Sequence, residues 1–163
     1  MALIKRNSNY SFNSFIFRRI RQLAPSILND CQSLRFVTFK SNILPEFPPD
    51  DSANETDGQT VAKWLFTPSP DGVPKSLIIY TENSSAEEWS SMIEQFKAAF
   101  SNASSPACFS ISFKFVPSSS LDFVVPFLVT NELTGEQLAL SKRSEQCFVL
   151  FRCPIASDER DRK

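Results

Sequence analysis

Histidine is absent from this 163-residue chain, and glycine nearly so, with only Gly58, Gly72 and Gly135. Each shortage removes a class of chemistry. Without histidine there is no imidazole base for a Ser or Cys nucleophile, and no His-bearing zinc site. With three scattered glycines there is no G-x-G-x-x-G or P-loop pattern to cradle phosphates. The four cysteines, Cys31, Cys108, Cys147 and Cys153, form no C-x-x-C pair, which argues against a thiolate metal site. If residues 147–153 are one strand, Cys147 and Cys153 share a face but lie about 20 Å apart, too far to bridge each other. The cysteines read as free buried thiols in a reducing compartment. No apolar run approaches the roughly 20 residues that cross a bilayer.

What is present is a chain of one-domain size, 42% hydrophobic and carrying 16 Phe. A core rich in aromatic packing follows. The net charge of −1 hides a polarity. Residues 1–40 hold seven basic side chains and one acid, Asp30, whereas the remainder holds 10 basic and 17 acidic. Residues 1–29 are basic, acid-free and rich in Ser and Asn, and Phe15, Ile16, Ile20 and Leu23 recur near helical spacing. That composition fits a mitochondrial presequence, or equally a basic amphipathic helix belonging to the fold. Arg18 and Arg19 interrupt any secretory apolar region, so the N-x-S/T sequons at Asn54, Asn83 and Asn102 read as chance matches.

Along the chain, Ile16–Asp30 reads as helix broken near Pro25, and Leu34–Phe39 as a short strand. Residues 42–59 read as a Pro/Asp/Asn-rich loop, and Thr60–Phe66 as a helix ended by Pro68 and Pro70. Ser76–Tyr80 is a buried strand. Ser85 and Glu88 form a capping box for a helix over 85–101, with Trp89, Met92, Ile93, Phe96, Ala99 and Phe100 on one face. In Cys108–Val116, Phe109, Ile111, Phe113 and Phe115 alternate with polar residues, the pattern of a half-buried strand. Phe123–Thr130, Gln137–Lys142 and Phe148–Cys153 read as strands whose short connections demand antiparallel pairing. Pro126 cannot donate to a ladder, so the first of these should be an edge or carry a bulge.

The expected fold class is therefore α/β to α+β. Degenerate, leucine-rich-repeat-like helix–strand units with short parallel strands precede a three-stranded antiparallel meander. Residues 1–14 are expected to be disordered or irregular, 15–155 a single interaction domain, and 156–163 a charged tail. The adjacent carboxylates Asp50–Asp51 and Glu87–Glu88 read as a solvated loop pair and as first-turn acids favoured by the helix dipole. No catalytic residue, cofactor or metal ligand is assigned. A hydrolase with an unusual base stays as an alternative.

Five blocks carry a resemblance. VAKWLFTPSPDGVPK (Val61–Lys75), FRRIRQLAPSILNDCQSLRFV with LPEFPPDDSA, FKAAFSNASSPACFSISF, VPFLVTNELTGEQLAL and FVLFRCPI occur in order between Phe15 and Glu159. Together they resemble the region downstream of the F-box in an F-box protein family expanded in plant-parasitic nematodes. The resemblance implies a non-enzymatic substrate-recognition domain of a cullin-type ubiquitin ligase, binding a protein partner, with no nucleic acid and no membrane, in cytoplasm or nucleus. Mitochondrial import is the alternative. The 14 residues before Phe15 are too few for F-box helices, which leaves adaptor docking in question. Ser69-Pro70 and Gln137 also stand where the family pattern carries Arg. Candidate partner contacts are Trp64, Asp71 in its turn, Leu133 and Thr134 at a loop tip, and Arg152 on the exposed side of its strand.

Overall fold

Phenylalanine placement decides how this chain folds, because the rings recur every second residue in strands and every third or fourth in helices. The computed structural model describes residues 9–40, 43–52, 54–82, 85–117 and 120–156. Among these residues are seven strands and four helices in the order β1 (Asn9–Phe12), α1 (Ser14–Leu23), α2 (Ile27–Asp30), β2 (Phe36–Phe39), α3 (Asp57–Phe66), β3 (Lys75–Thr81), α4 (Ala86–Ser101), β4 (Phe109–Phe115), β5 (Phe127–Asn131), β6 (Glu136–Ser144) and β7 (Cys147–Pro154). All seven strands join one mixed sheet in the order β1-β2-β3-β4-β7-β6-β5. The steps β1-β2, β2-β3 and β3-β4 are parallel, and β4-β7, β7-β6 and β6-β5 are antiparallel.

Local chemistry sets the helix ends. Ser85 and Glu88 close a capping box at α4, as their spacing predicts, and Thr56 with Gln59 closes another at α3. The second box starts α3 at Asp57, three residues earlier than the polar composition of 42–59 suggests. Gly58 in that first turn is required by proximity. A Cβ there would stand 2.3 Å from the Leu44 carbonyl oxygen. Asn13 caps α1 through its side chain, and the α1–α2 break falls at residues 24–26, around Pro25. Residues 9–12, inside the stretch expected to be irregular, form β1 beside β2. Residues 1–8 and 157–163 lie outside the described residues.

Register assigns the side chains to two faces. Phe39, Ile79 and Phe113 lie in one row, and α1, α3 and α4 all pack on that face. Phe17 of α1 meets Phe39, Phe66 of α3 meets Phe109, and Trp89 of α4 meets Phe113 and Phe115. Ile43, Phe47, Leu121 and Phe123, from the connecting segments, join the same core. Trp64 and Trp89 are fully enclosed there. Burial of an aromatic of this size is worth roughly 4–6 kcal/mol of transfer free energy each.

The antiparallel region departs from its expected form. Residues 121–126 are irregular, and β5 starts after Pro126. β5 is an edge strand, as Pro126 implied. β5, β6 and β7 pair in chain order as an antiparallel meander, and β7 joins it to β4 so that it extends the sheet.

Candidate functional site

Every second residue of the strands turns away from the helices. One row of these runs Phe36, Ser76, Ser110, Phe151, Ala139 and Leu128, and a second runs Thr38, Ile78, Ser112, Val149 and Ser141. No described helix packs against them. Most are partly exposed, Leu128 is 62% exposed, and Ala139 is buried between its larger neighbours. The polar contacts on this face are between strand side chains, such as Ser110 to Ser76 and Gln137 to Cys153. Ile78, Val149, Phe151 and Leu128 thus form an apolar surface on an open sheet, unlike singly scattered exposed hydrophobics.

At the C-terminal ends of β3 and β4, this face leads into a groove of about 670 Å³, lined by Tyr80, Glu82, Lys114, Phe115, Val116, Pro117, Arg143 and Cys147. The Lys114 ammonium stands 5.4 Å from the Tyr80 ring centroid. Neither Lys114 nor Arg143 has an ion-pair partner among the described residues. The C-terminal ends of parallel strands are where open α/β sheets commonly hold ligands.

The opposite end of the sheet is closed by buried polar side chains that complete helix C-termini or hold the α4–β4 connection. The last carbonyls of a helix lack intrahelical donors. Asn131 donates from Nδ2 to the Phe100 and Ala103 carbonyls at the end of α4 (2.7 and 3.0 Å), while its Oδ1 accepts from the Leu133 N–H at 2.9 Å. Arg152 donates through Nε and Nη2 to Glu136 Oε2 at 2.8 and 2.5 Å, and through Nη2 to the Ser105 carbonyl at 2.8 Å. Glu136 Oε1 accepts the Ala107 N–H at 3.0 Å. The guanidinium lies 5.3 Å from both the Phe66 and Phe100 ring centroids. Lys75 donates from Nζ to the Trp64 and Thr67 carbonyls, ending α3 in the same way. Burial, with the charge of Arg35 second, lowers the Lys75 ammonium from 10.5 to about 8. Near α1, Arg21 pairs with Asp57 at 2.6 Å and reaches the Glu55 carbonyl at 2.8 Å.

The sequence-predicted contacts divide between these regions, and two of the five, Trp64 and Arg152, leave the surface. Trp64 is core, stacked against Lys75 at 5.5 Å. Arg152 does point opposite Cys153, but onto the core face, where it is 1% exposed. The expectation of an exposed Arg152 is corrected by its buried pairing with Glu136. Asp71 is exposed. It accepts from the Val73 N–H and pairs with Arg35 at 2.9 Å, which together lower its carboxyl, the Val73 bond most. Leu133 is 81% exposed at the β5–β6 turn, and Thr134 is half-buried beside it. That turn depends on Gly135, whose φ of 67° lies in the left-handed region that side chains with a Cβ disfavour. Asp71 and the 133–134 tip lie at the same end of the sheet, but β3 and β5 are four strand spacings apart, roughly 19 Å. They do not form one site.

Sequence reasoning missed Lys75, Asn131 and Glu136 as buried fasteners. It also missed the open apolar face, although a signal was present. CFVLFRC is apolar on both alternating sides, and only one of them meets helices. Among the described residues, no group of three or more His, Cys, Asp or Glu side chains is placed to hold a metal ion. No helix among them is long and apolar enough to cross a membrane. No protein-family model matches this chain, and no curated protein or solved structure matches it significantly.

Proposed function

We propose that this chain is a non-enzymatic protein-interaction domain that resembles the substrate-recognition region of F-box proteins, and that its contact surface is the open face of the sheet. The observation that carries this reading is the combination on that face of Ile78, Val149, Phe151 and Leu128 with the cations Lys114 and Arg143, without an ion-pair partner among the described residues, at one end. An apolar centre with a polar rim is the usual anatomy of a protein interface. Several sequence blocks that carry the resemblance supply the buried fasteners. WLFTPSPDGVPK contributes Lys75, and NELTGEQ and FRCP contribute Asn131, Glu136 and Arg152. These blocks support a shared fold, which leaves the open face to set the choice of partner. The in-order array β1 to β4, with helices on one side, also fits degenerate leucine-rich-repeat-like units followed by an antiparallel meander.

Helix α1 supplies Phe17 to the core and Arg21 to Asp57. That supports its membership of the domain over a leader removed on mitochondrial import. The test is affinity capture with quantitative mass spectrometry, using the wild-type chain and the variant Ile78→Lys/Val149→Lys. The expected result is a set of proteins bound by the wild type and lost by the variant while its circular dichroism is unchanged. Equal capture by both overturns the assignment to this face. An adaptor and a cullin in the wild-type eluate support the ligase reading, and their absence leaves a binding module without one.

A further inference from the structure

Two of the four cysteines flank the last pair of the β4–β7 ladder: Cys108 immediately precedes β4, and Cys153 follows Arg152 in β7. The register pairs Phe109 with Arg152, and extending it by one step beyond the start of β4 sets Cys108 opposite Cys153. Both are half-exposed, and both lie on the open face, because Phe109 and Arg152 occupy the core face. The hydrogen-bond phase identifies the kind of pair. The Phe115 N–H donates to the Gln146 carbonyl at 2.9 Å, so residues paired as 115 with 146, 113 with 148, 111 with 150 and 109 with 152 are the hydrogen-bonded ones. The alternate pairs, including 108 with 153, are non-hydrogen-bonded, with Cα atoms about 4.5 Å apart. That spacing lies within the range a disulfide spans, near its short end. Gln137 donates to the Cys153 sulphur at 3.6 Å and holds it on this face. Burial raises the Cys108 thiol and the charge of Cys153 raises it further, as expected of two thiols within electrostatic reach.

We propose that Cys108 and Cys153 form a reversible dithiol–disulfide site on the open face of the sheet, with a small-molecule disulfide such as oxidised glutathione as oxidant. One protein thiolate attacks the glutathione disulfide, forming a mixed disulfide and releasing one glutathione. The second thiolate displaces the remaining glutathione. Two protein thiols and one oxidised glutathione thereby become one protein disulfide and two reduced glutathiones. The site does not depend on any partner binding to the domain. Half-exposed disulfides joining closely spaced strands belong to the labile, regulatory class.

Peptide mapping separates the alternatives cleanly, because trypsin places each cysteine on its own peptide. Cys108 falls in 98–114, Cys147 in 144–152 and Cys153 in 153–160. The folded chain is incubated with oxidised glutathione, alkylated under denaturing conditions and digested without reductant. The expected result is a cross-link between 98–114 and 153–160, reversed by dithiothreitol, with Cys31 and Cys147 still alkylated. The oxidised chain should also melt roughly 5–10 °C higher. Cys31→Ser/Cys147→Ser should keep the cross-link, and Cys108→Ser should convert Cys153 to a glutathione adduct. Four alkylated cysteines, single-site adducts without a cross-link in the wild type, or cross-links through Cys31 or Cys147 would each overturn the site.

Discussion

On the helix-covered face, one row of the sheet reads Val37, Leu77, Ile111, Leu150, Leu140. One residue along on the same strands, the open face reads Thr38, Ile78, Ser112, Val149, Ser141. The backbone is shared, so the difference lies wholly in side chains. The covered row is uniformly aliphatic and fully enclosed, and where this face carries charge, at Lys75, Glu136 and Arg152, every charge meets a fixed partner. The open row alternates hydroxyls with aliphatics, and its nearby cations, Lys114 and Arg143, have no ion-pair partner among the described residues. One face therefore spends its chemistry on holding the helices, and the other keeps its chemistry available.

The strongest way to break this contrast is Arg152→Met. It leaves the Glu136 carboxylate buried without its cation, and urea denaturation should register a loss of about 3–5 kcal/mol. A loss below 1 kcal/mol would mean that the Glu136–Arg152 pair does not hold the connection between α4 and β4.

Lys75 sharpens the comparison through pH. The folded chain releases this proton near 8, and the unfolded chain near the ordinary 10.5. Between those values the unfolded chain binds more protons, so this group makes stability rise with pH across that window. Denaturation curves at pH 8, 9 and 10 should show the rise in the wild type relative to Lys75→Met. The variant itself should be less stable by about 1–3 kcal/mol at pH 7, because the Trp64 and Thr67 carbonyls lose their donor. Parallel pH trends in the two proteins would remove Lys75 as the source.

The smallest expected effect is on the open face. Val149→Thr should change stability by no more than about 0.5 kcal/mol. The same substitution at Leu150, directly behind it, should cost several times more. Equal costs at 149 and 150 would mean that both faces are covered.

Much of the covered face was legible because it repeats. The alternation through Phe109–Phe115 and the Trp89–Phe100 stripe each have one physical explanation, and the structure places both in the core. The first turn of α3 was legible in principle, since Thr56 and Gln59 have capping-box spacing, but the surrounding prolines and acids concealed it. The fasteners were not legible. A Lys, a Glu and an Arg in alternating strands look like solvated residues until the helix end and the loop they fasten are known. Arg152 shows the limit clearly. Its phase relative to Cys153 follows from strand geometry, but which side faces water depends on where the helices sit.

The position of β7 has a consequence for how the molecule comes into being. It is the last of the seven described strands to be synthesised, yet it lies inside the sheet, between β4 and β6. Until residues 147–154 have emerged from the ribosome, β4 is an unprotected edge and the β5–β6 hairpin has no neighbour to join. Space and time thus run in different orders in this chain. Its native sheet is completed only by inserting a final interior piece, which makes the nascent chain, more than the mature one, the species with exposed strand edges that a chaperone would need to shield.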